Sequence, residues 1–220
     1  MLTPMPVAPL RAIMKAAHGP IYNARRRELV RRILPHLRPG DRVLDVGCGV
    51  GTLGHALMTD PAAPAGLVVT GIERVARGGE PIPVREYDGR HIPDPDGAHD
   101  VVIVADVLHH DPEPDLLLRE CIRVCRRLLI IKDHQVKGPL AQQRISLIDW
   151  AANAPHGVPC LYTYNTPAQW DAFPGRFGLR PVEVRPTINL YPPIVNLLFG
   201  RSLQFLGVYQ TPDRGEPRNG

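Results

Sequence analysis

VLDVGCGVG, Val43 to Gly51, decides the fold. Val43, Leu44 and Val46 suit a buried strand bounded by turn residues. Gly47, Gly49 and Gly51 then let the backbone turn tightly and approach a ligand with no Cβ in the way. Thr52 to Met58 reads as the helix that follows. Strand, glycine turn and helix start together open an α/β sheet that binds a nucleotide-type ligand.

The spacing separates two kinds of turn. A dinucleotide G-x-G-x-x-G turn would place its third glycine at position 52, which is Thr52. Here the third glycine is Gly51, and Asp45 ends the strand. This D-x-G-x-G-x-G turn resembles the first motif of the class I S-adenosylmethionine (SAM) methyltransferases. The resemblance implies SAM as cofactor, with Asp45, Gly47, Cys48 and Gly49 around its methionine half. SAM carries no phosphate, so a carboxylate at the turn is tolerable where a pyrophosphate would repel it.

Downstream motifs follow in the family's order. A second strand, Leu67 to Ile72, is followed at once by Glu73, about 20 residues past the glycine turn and placed to accept ribose hydroxyls. Arg74 to Pro83 is too short and too broken by glycine and proline for a crossover helix, so a compact loop is expected there. A third strand, Val84 to Tyr87, leads to Asp88-Gly89, which the resemblance places at the adenine. Val101 to Val104 is a continuous apolar run, hence a central parallel strand. It ends in Ala105-Asp106-Val107-Leu108-His109-His110, and ligands of open α/β sheets bind beyond such strand ends. Asp106 is therefore a cofactor-side residue. Asp115 to Arg127 is a helix with Leu116, Leu117, Glu120, Cys121, Val124 and Cys125 as its stripe, and Leu128 to Ile131 is the fifth strand, capped by Lys132-Asp133-His134. The fold class is α/β: a Rossmann-like doubly wound sheet of seven strands, mostly parallel, with an antiparallel C-terminal strand.

At 220 residues one domain is expected, with 44% apolar and 22% charged residues, ordinary for a globular protein. Residues 1 to 20 read as an arm with a short helix near Leu10 to Ala17, and the tail after Thr211 as frayed. No apolar run reaches the roughly 18 residues of a transmembrane helix, and the N-terminus lacks a secretory h-region, so a cytoplasmic location is expected. Cys48, Cys121, Cys125 and Cys160 form no paired metal pattern; Cys121 and Cys125 read as small buried hydrophobes. Net charge is +4, with Arg25, Arg26, Arg27, Arg31 and Arg32 clustered in a helix spanning Tyr22 to Leu37. Its apolar stripe is Leu29, Val30, Ile33, Leu34 and Leu37, so the arginines mostly face away. They form a solvated face, or they touch an anionic substrate, a membrane surface or RNA. No aromatic platform for nucleic acid accompanies them.

Methyl transfer to a hydroxyl or ammonium needs a base, and His109, His134 and His110 are the catalytic candidates, all at strand carboxyl ends. Asp106, His109 and His110 also resemble, as D-x-x-H-H, the E-x-x-E-H metal cluster of some methyltransferases; the site is assigned no metal on sequence grounds. Pro139 to Trp150 and Trp170 to Phe177 are expected helices, and Pro181 to Ile188 pairs with Ser202 to Gln210 as a hairpin. Residues 135 to 200 should hold acceptor-pocket elements, Asn153, His156, Tyr162, Tyr164, Asn165 and Trp170, and the apolar segment Tyr191 to Phe199 reads as a lid over that pocket, as packing against the sheet edge, or as a dimer contact. Within that lid, Leu197 and Leu198 are expected to line the pocket. The expected activity is methylation of a small, apolar, lipid-like acceptor, most naturally at a hydroxyl. The competing classes are an RNA or protein methyltransferase and a non-catalytic SAM-binding protein. No Asn-Pro-Pro-Tyr motif follows the fourth strand. No nucleic-acid partner is expected, peripheral membrane contact is left open, and oligomeric state is unassigned.

Overall fold

The computed structural model describes residues 7–153, 160–200 and 202–212. Its centre is a seven-stranded sheet in the order β3-β2-β1-β4-β5-β7-β6. The strands are β1 (Arg42–Val46), β2 (Val68–Glu73), β3 (Val84–Glu86), β4 (His99–Ala105), β5 (Cys125–His134), β6 (Arg180–Arg185) and β7 (Gln204–Gln210). Strands β3, β2, β1, β4 and β5 are parallel neighbours, and β7 runs antiparallel to both β5 and β6. The sequence expectation of one antiparallel C-terminal strand is met.

Helices cover both faces. These are α1 (Val7–Ile33), α2 (Thr52–Thr59), α3 (Pro114–Val124), α4 (Ala141–Asn153), α5 (Pro167–Phe177) and α6 (Pro193–Phe199). Alternation along the central strands feeds two cores. Val101, Ile103, Leu128 and Ile130 join Leu29, Val30, Ile33, Leu53 and Leu57 on the α1–α2 side. Val102, Val104, Leu129 and Ile131 join Leu117, Cys121, Trp170 and Phe173 on the α3–α5 side. Trp170 stacks on Phe205 with centroids 4.3 Å apart, pinning α5 to β7. The same alternation carries on past Ile131, where the apolar residues run out. Lys132 and His134 therefore fall on the α1 side and Asp133 on the α3–α5 side, all buried.

Several expectations are corrected. The arm and the Tyr22–Leu37 helix are one helix, α1, which runs through Pro20 and ends in a 3-10 turn, Leu34–His36. A proline removes one helical hydrogen bond, and the long stretches on either side keep the helix continuous here. On α3, Leu116 is exposed, whereas Leu118 and Ile122 are buried. Cys125 belongs to β5, which begins three residues before the expected strand. The Arg74–Pro83 connection is the compact loop expected, and its Ile82 packs against Gly51 and Gly54 of the glycine-turn unit. Tyr191–Phe199 forms the turn entering α6 and α6 itself. His156, Arg201 and the tail beyond residue 212 lie outside the described residues. No helix among the described residues is long and apolar enough to cross a membrane.

Candidate active site

The turn after β1 holds Gly47, Gly49 and Gly51 at φ +65°, +57° and +70°, the left-handed region that glycine occupies without strain. A Cβ on Gly47 would meet Val107 Cγ2 at 2.5 Å. Nothing lies within 4 Å of where a Cβ on Gly49 would sit. Glu73, at the tip of β2, accepts the Gly49 N–H at 2.8 Å and the Arg74 N–H at 2.8 Å. Its carboxylate therefore props the turn, and Glu73 is not among the lining residues of the cavity described next. Asp88 sits beyond β3, where its Oδ1 accepts the backbone N–H of Arg90 and His91, both at 2.7 Å, next to Gly89 at φ +81°. Asp88 and Gly89 stand apart from the cavity described next.

A cavity of about 600 Å³ opens at the turn. Asp45, Gly47, Cys48 and Gly49 line it together with Asp106, His109, His110 and His134. Helix α1 contributes Ile21, Tyr22 and Arg25; α4 contributes Leu147, Ile148 and Asp149; Tyr191, Val195 and Phe199 close it from the α6 side. Asp45 is 2% exposed and its Oδ2 has no hydrogen-bond partner among the described residues. Burial, with the Glu73 charge added and Arg25 opposing, pushes its carboxyl up to about 7. An orphaned carboxylate oxygen beside glycines that admit a ligand fits a cofactor carrying an ammonium group, as SAM does.

A carboxyl raised from 3.8 to about 7 favours its protonated form, so it stabilises the empty protein at low pH and loses that contribution as pH rises through 7. A cation at Oδ2 favours the ionised form. SAM affinity measured by isothermal titration should therefore climb about tenfold between roughly pH 5.5 and 7. Asp45→Asn should flatten that profile, and a flat wild-type profile would remove Asp45 from the ammonium site.

Beyond β4 the buried charges interlock. Asp106 adopts φ +59° and bonds both Arg25 of α1 and Lys132 of β5. Arg25 thus turns inward, against the expectation for the arginine cluster; Arg27 and Arg31 are exposed. Despite burial, Lys132 and Arg25 hold Asp106 well below the usual carboxylate range. His134 Nε2 lies 3.7 Å from Asp106 Oδ1, and the Gln204 amide donates to His134 Nδ1 at 3.2 Å. Burial and the Lys132 charge push His134 down to about 3, so it stays neutral.

His109 is the opposite case. Its Nδ1 donates to Asp133 Oδ1 at 2.5 Å, and its Nε2 lies 3.6 Å from Asp149 Oδ1. Burial opposes a charge here, but the Asp133 carboxylate and the Asp149 contact outweigh it and raise the ring to about 10. The two carboxylates thus favour the imidazolium form of His109. His110 Nε2 lies 3.5 Å from the same Asp149 oxygen. Tyr164 donates its hydroxyl to Asp149 Oδ2 at 2.6 Å.

The expected acceptor pocket divides in two. Tyr162, Tyr164, Asn165 and Trp170 line a second cavity of about 780 Å³ against α3 and α5, not the one under α6. His109 and His134 form the wall common to both. Leu197 and Leu198 are 69% and 52% exposed and point away from either cavity, whereas Val195 and Phe199 face inward. The D-x-x-H-H cluster is also regrouped: Asp106 gathers with His109 and His134, and His110 with His109 and Asp149. Sequence reasoning missed Asp149 and Arg25. Both sit on helices whose inward face was read only for apolar residues.

Comparison with known proteins agrees with this geometry. A family model described as a methyltransferase domain matches residues 21–182. A ubiquinone/menaquinone biosynthesis C-methyltransferase, UbiE, of Cupriavidus pinatubonensis is 28% identical over 59% of this chain and 60% of its own length. A phosphatidylethanolamine N-methyltransferase of Cereibacter sphaeroides is 34% identical over 50% of this chain and 61% of its own. The chain thus spans about three-fifths of the length of these curated relatives. A SAM-dependent methyltransferase from Aquifex aeolicus shares the fold, with a TM-score of 0.58 at 19% identity over 92% of this chain and 98% of that one. The sheet order, the glycine turn and the family match lead to one conclusion: the chain belongs to the SAM-dependent methyltransferase family.

Proposed function

We propose that this domain methylates a hydroxyl on a small, apolar acceptor. The observation that carries the reading is one unbroken cavity. It begins at the glycine turn, passes the wall of His109 and His134 and ends under apolar residues of α4 and α6. When bound, SAM supplies a methyl group activated by positive sulfur. Asp45, Gly47, Cys48, Gly49 and Glu73 would hold it. Helices α1, α4 and α6 shield the cavity from water and hold the acceptor in line, which can supply much of the acceleration.

Neither buried histidine offers a free lone pair to the acceptor. His134 has both ring nitrogens turned to Gln204 and Asp106. His109 is engaged by Asp133 and Asp149. The chain instead presents positive charge at His109, which stabilises the acceptor oxygen as its proton passes to solvent water. The relatives named for ubiquinone or menaquinone biosynthesis and for phosphatidylethanolamine support an apolar acceptor.

Phe199→Ala tests the acceptor end. Losing an apolar wall of this size should raise the acceptor's Michaelis constant at least about tenfold, with SAM affinity unchanged. An unchanged Michaelis constant, or a parallel loss of SAM binding, would move the acceptor elsewhere. Leu197 and Leu198, being exposed, should not show the effect.

A further inference from the structure

Asp149 is an unusual residue to bury inside α4: it is 3% exposed, between the cavity and the wall that divides it from its neighbour. Its Oδ1 lies 3.6 Å from His109 Nε2 and 3.5 Å from His110 Nε2. Both separations are too long for good hydrogen bonds. They match the edge of a tetrahedron with corners about 2.1 Å from its centre, which is about 3.4 Å. The three ligand atoms all fall within 4.8 Å of one another.

The surrounding groups orient each ligand. Asp133 takes the Nδ1–H of His109 at 2.5 Å and so leaves Nε2 as the ligating nitrogen. The Tyr164 hydroxyl holds Asp149 Oδ2 at 2.6 Å; the Asn153 amide bonds Oδ1 at 2.7 Å and lies 3.4 Å from His110 Nε2, so an entering metal ion takes over both of these contacts from it. A carboxylate–histidine pair behind the ligand and a hydroxyl behind the carboxylate are the supports that metal sites use. The neighbouring group of Asp106, His109 and His134 is a poorer choice. Asp106 is already bonded to Lys132 and Arg25, and those two cations oppose a third.

We propose that His109 Nε2, His110 Nε2 and Asp149 Oδ1 form a binding site for one divalent transition-metal ion, of zinc type, at the acceptor end of the cavity. Two imidazoles and one carboxylate favour zinc, cobalt, nickel or iron over magnesium. Three protein ligands leave a fourth position open, and all three residues line the cavity. The metal replaces the proton on His109 Nε2, that proton leaves to solvent, and the ion then supplies the positive charge that the imidazolium presents in the metal-free protein. An acceptor hydroxyl at the open position would ionise more easily. This deepens the hydroxyl reading and rests on it only for that last consequence.

The test uses the full chain, stripped with a chelator and titrated with cobalt(II). One equivalent per chain should bind, with the strong visible absorption of tetrahedral cobalt, and zinc should displace it. His110→Ala and Asp149→Asn should each weaken binding by more than about a hundredfold, and Tyr164→Phe by about ten- to a hundredfold. His110 is only partly buried, so its variant should keep the wild-type unfolding temperature and separate ligand loss from misfolding. Absence of saturable binding, or binding indifferent to both ligand variants, overturns the site. If stripped protein binds no cobalt yet methylates hydroxyl acceptors, the metal site falls and the proposed function stands. If cobalt binds as expected and no hydroxyl acceptor is methylated, the function falls and the site stands.

Discussion

Asp106→Asn should destabilise the fold by about 3–5 kcal/mol, because it strands two cations at once. Lys132 is 1% exposed and bonds Asp106; Arg25 reaches Asp106 from α1. Taking an ammonium out of water is tolerable only while its partner charge remains. Asparagine is the informative replacement. Asp106 stands at φ +59°, where Asn is tolerated and Ala is not, so the change removes charge without adding backbone strain. A fall in unfolding temperature on the order of 10 °C is expected for a chain of this size. Adding Lys132→Met should recover a large part of it, since a buried apolar chain needs no partner. An unchanged melting temperature in the single variant would mean that the triad is solvated rather than buried.

The second large effect separates the two central histidines. His109→Gln should lower kcat by about 10²–10³, the usual loss when one stabiliser of a developing oxyanion is removed. His134→Gln should cost less than about tenfold, because its nitrogens serve Gln204 and Asp106 rather than the acceptor. Single-turnover rates at saturating SAM measure both. SAM affinity should stay level in the His109 variant, which shows that its fold survives. The reverse ranking would make His134 the base and remove the oxyanion role from His109.

Much of this was legible along the chain because local chemistry dictates it. The D-x-G-x-G-x-G turn needs left-handed backbone at three positions, and only glycine supplies that cheaply. The runs Val101–Val104 and Leu128–Ile131 are apolar on every residue because helices cover both faces of the sheet. Glu73 was marked by its distance from the turn. What stayed hidden depends on helices converging from far along the chain. Asp149 lies amid Leu147, Ile148 and Trp150 with no neighbour that marks it, and its partners are about 40 residues earlier. Arg25 looked like one of five solvated arginines; only the approach of α1 to Asp106 selects it. A lid was one of three readings of Tyr191 to Phe199, and none of them said which residues border the cavity. In a helix, Val195 and Phe199 share a face, one turn apart, which leaves Leu197 and Leu198 outside. Tyr162, Tyr164 and Trp170 were grouped with that lid by proximity in sequence, and the wall of histidines puts them on its other side.

The proposed function requires cofactor and apolar acceptor to meet in the cavity between the glycine turn and α6. Incubation with tritium-labelled SAM and a whole-cell extract, followed by partition between organic solvent, aqueous metabolites, protein and RNA, tests it most directly. Label should enter the organic phase with wild-type protein. It should be lost with Gly47→Ala, whose Cβ collides with Val107 at 2.5 Å and whose φ of +65° strains alanine. Label confined to protein or RNA, or organic labelling that Gly47→Ala leaves intact, would contradict the claim.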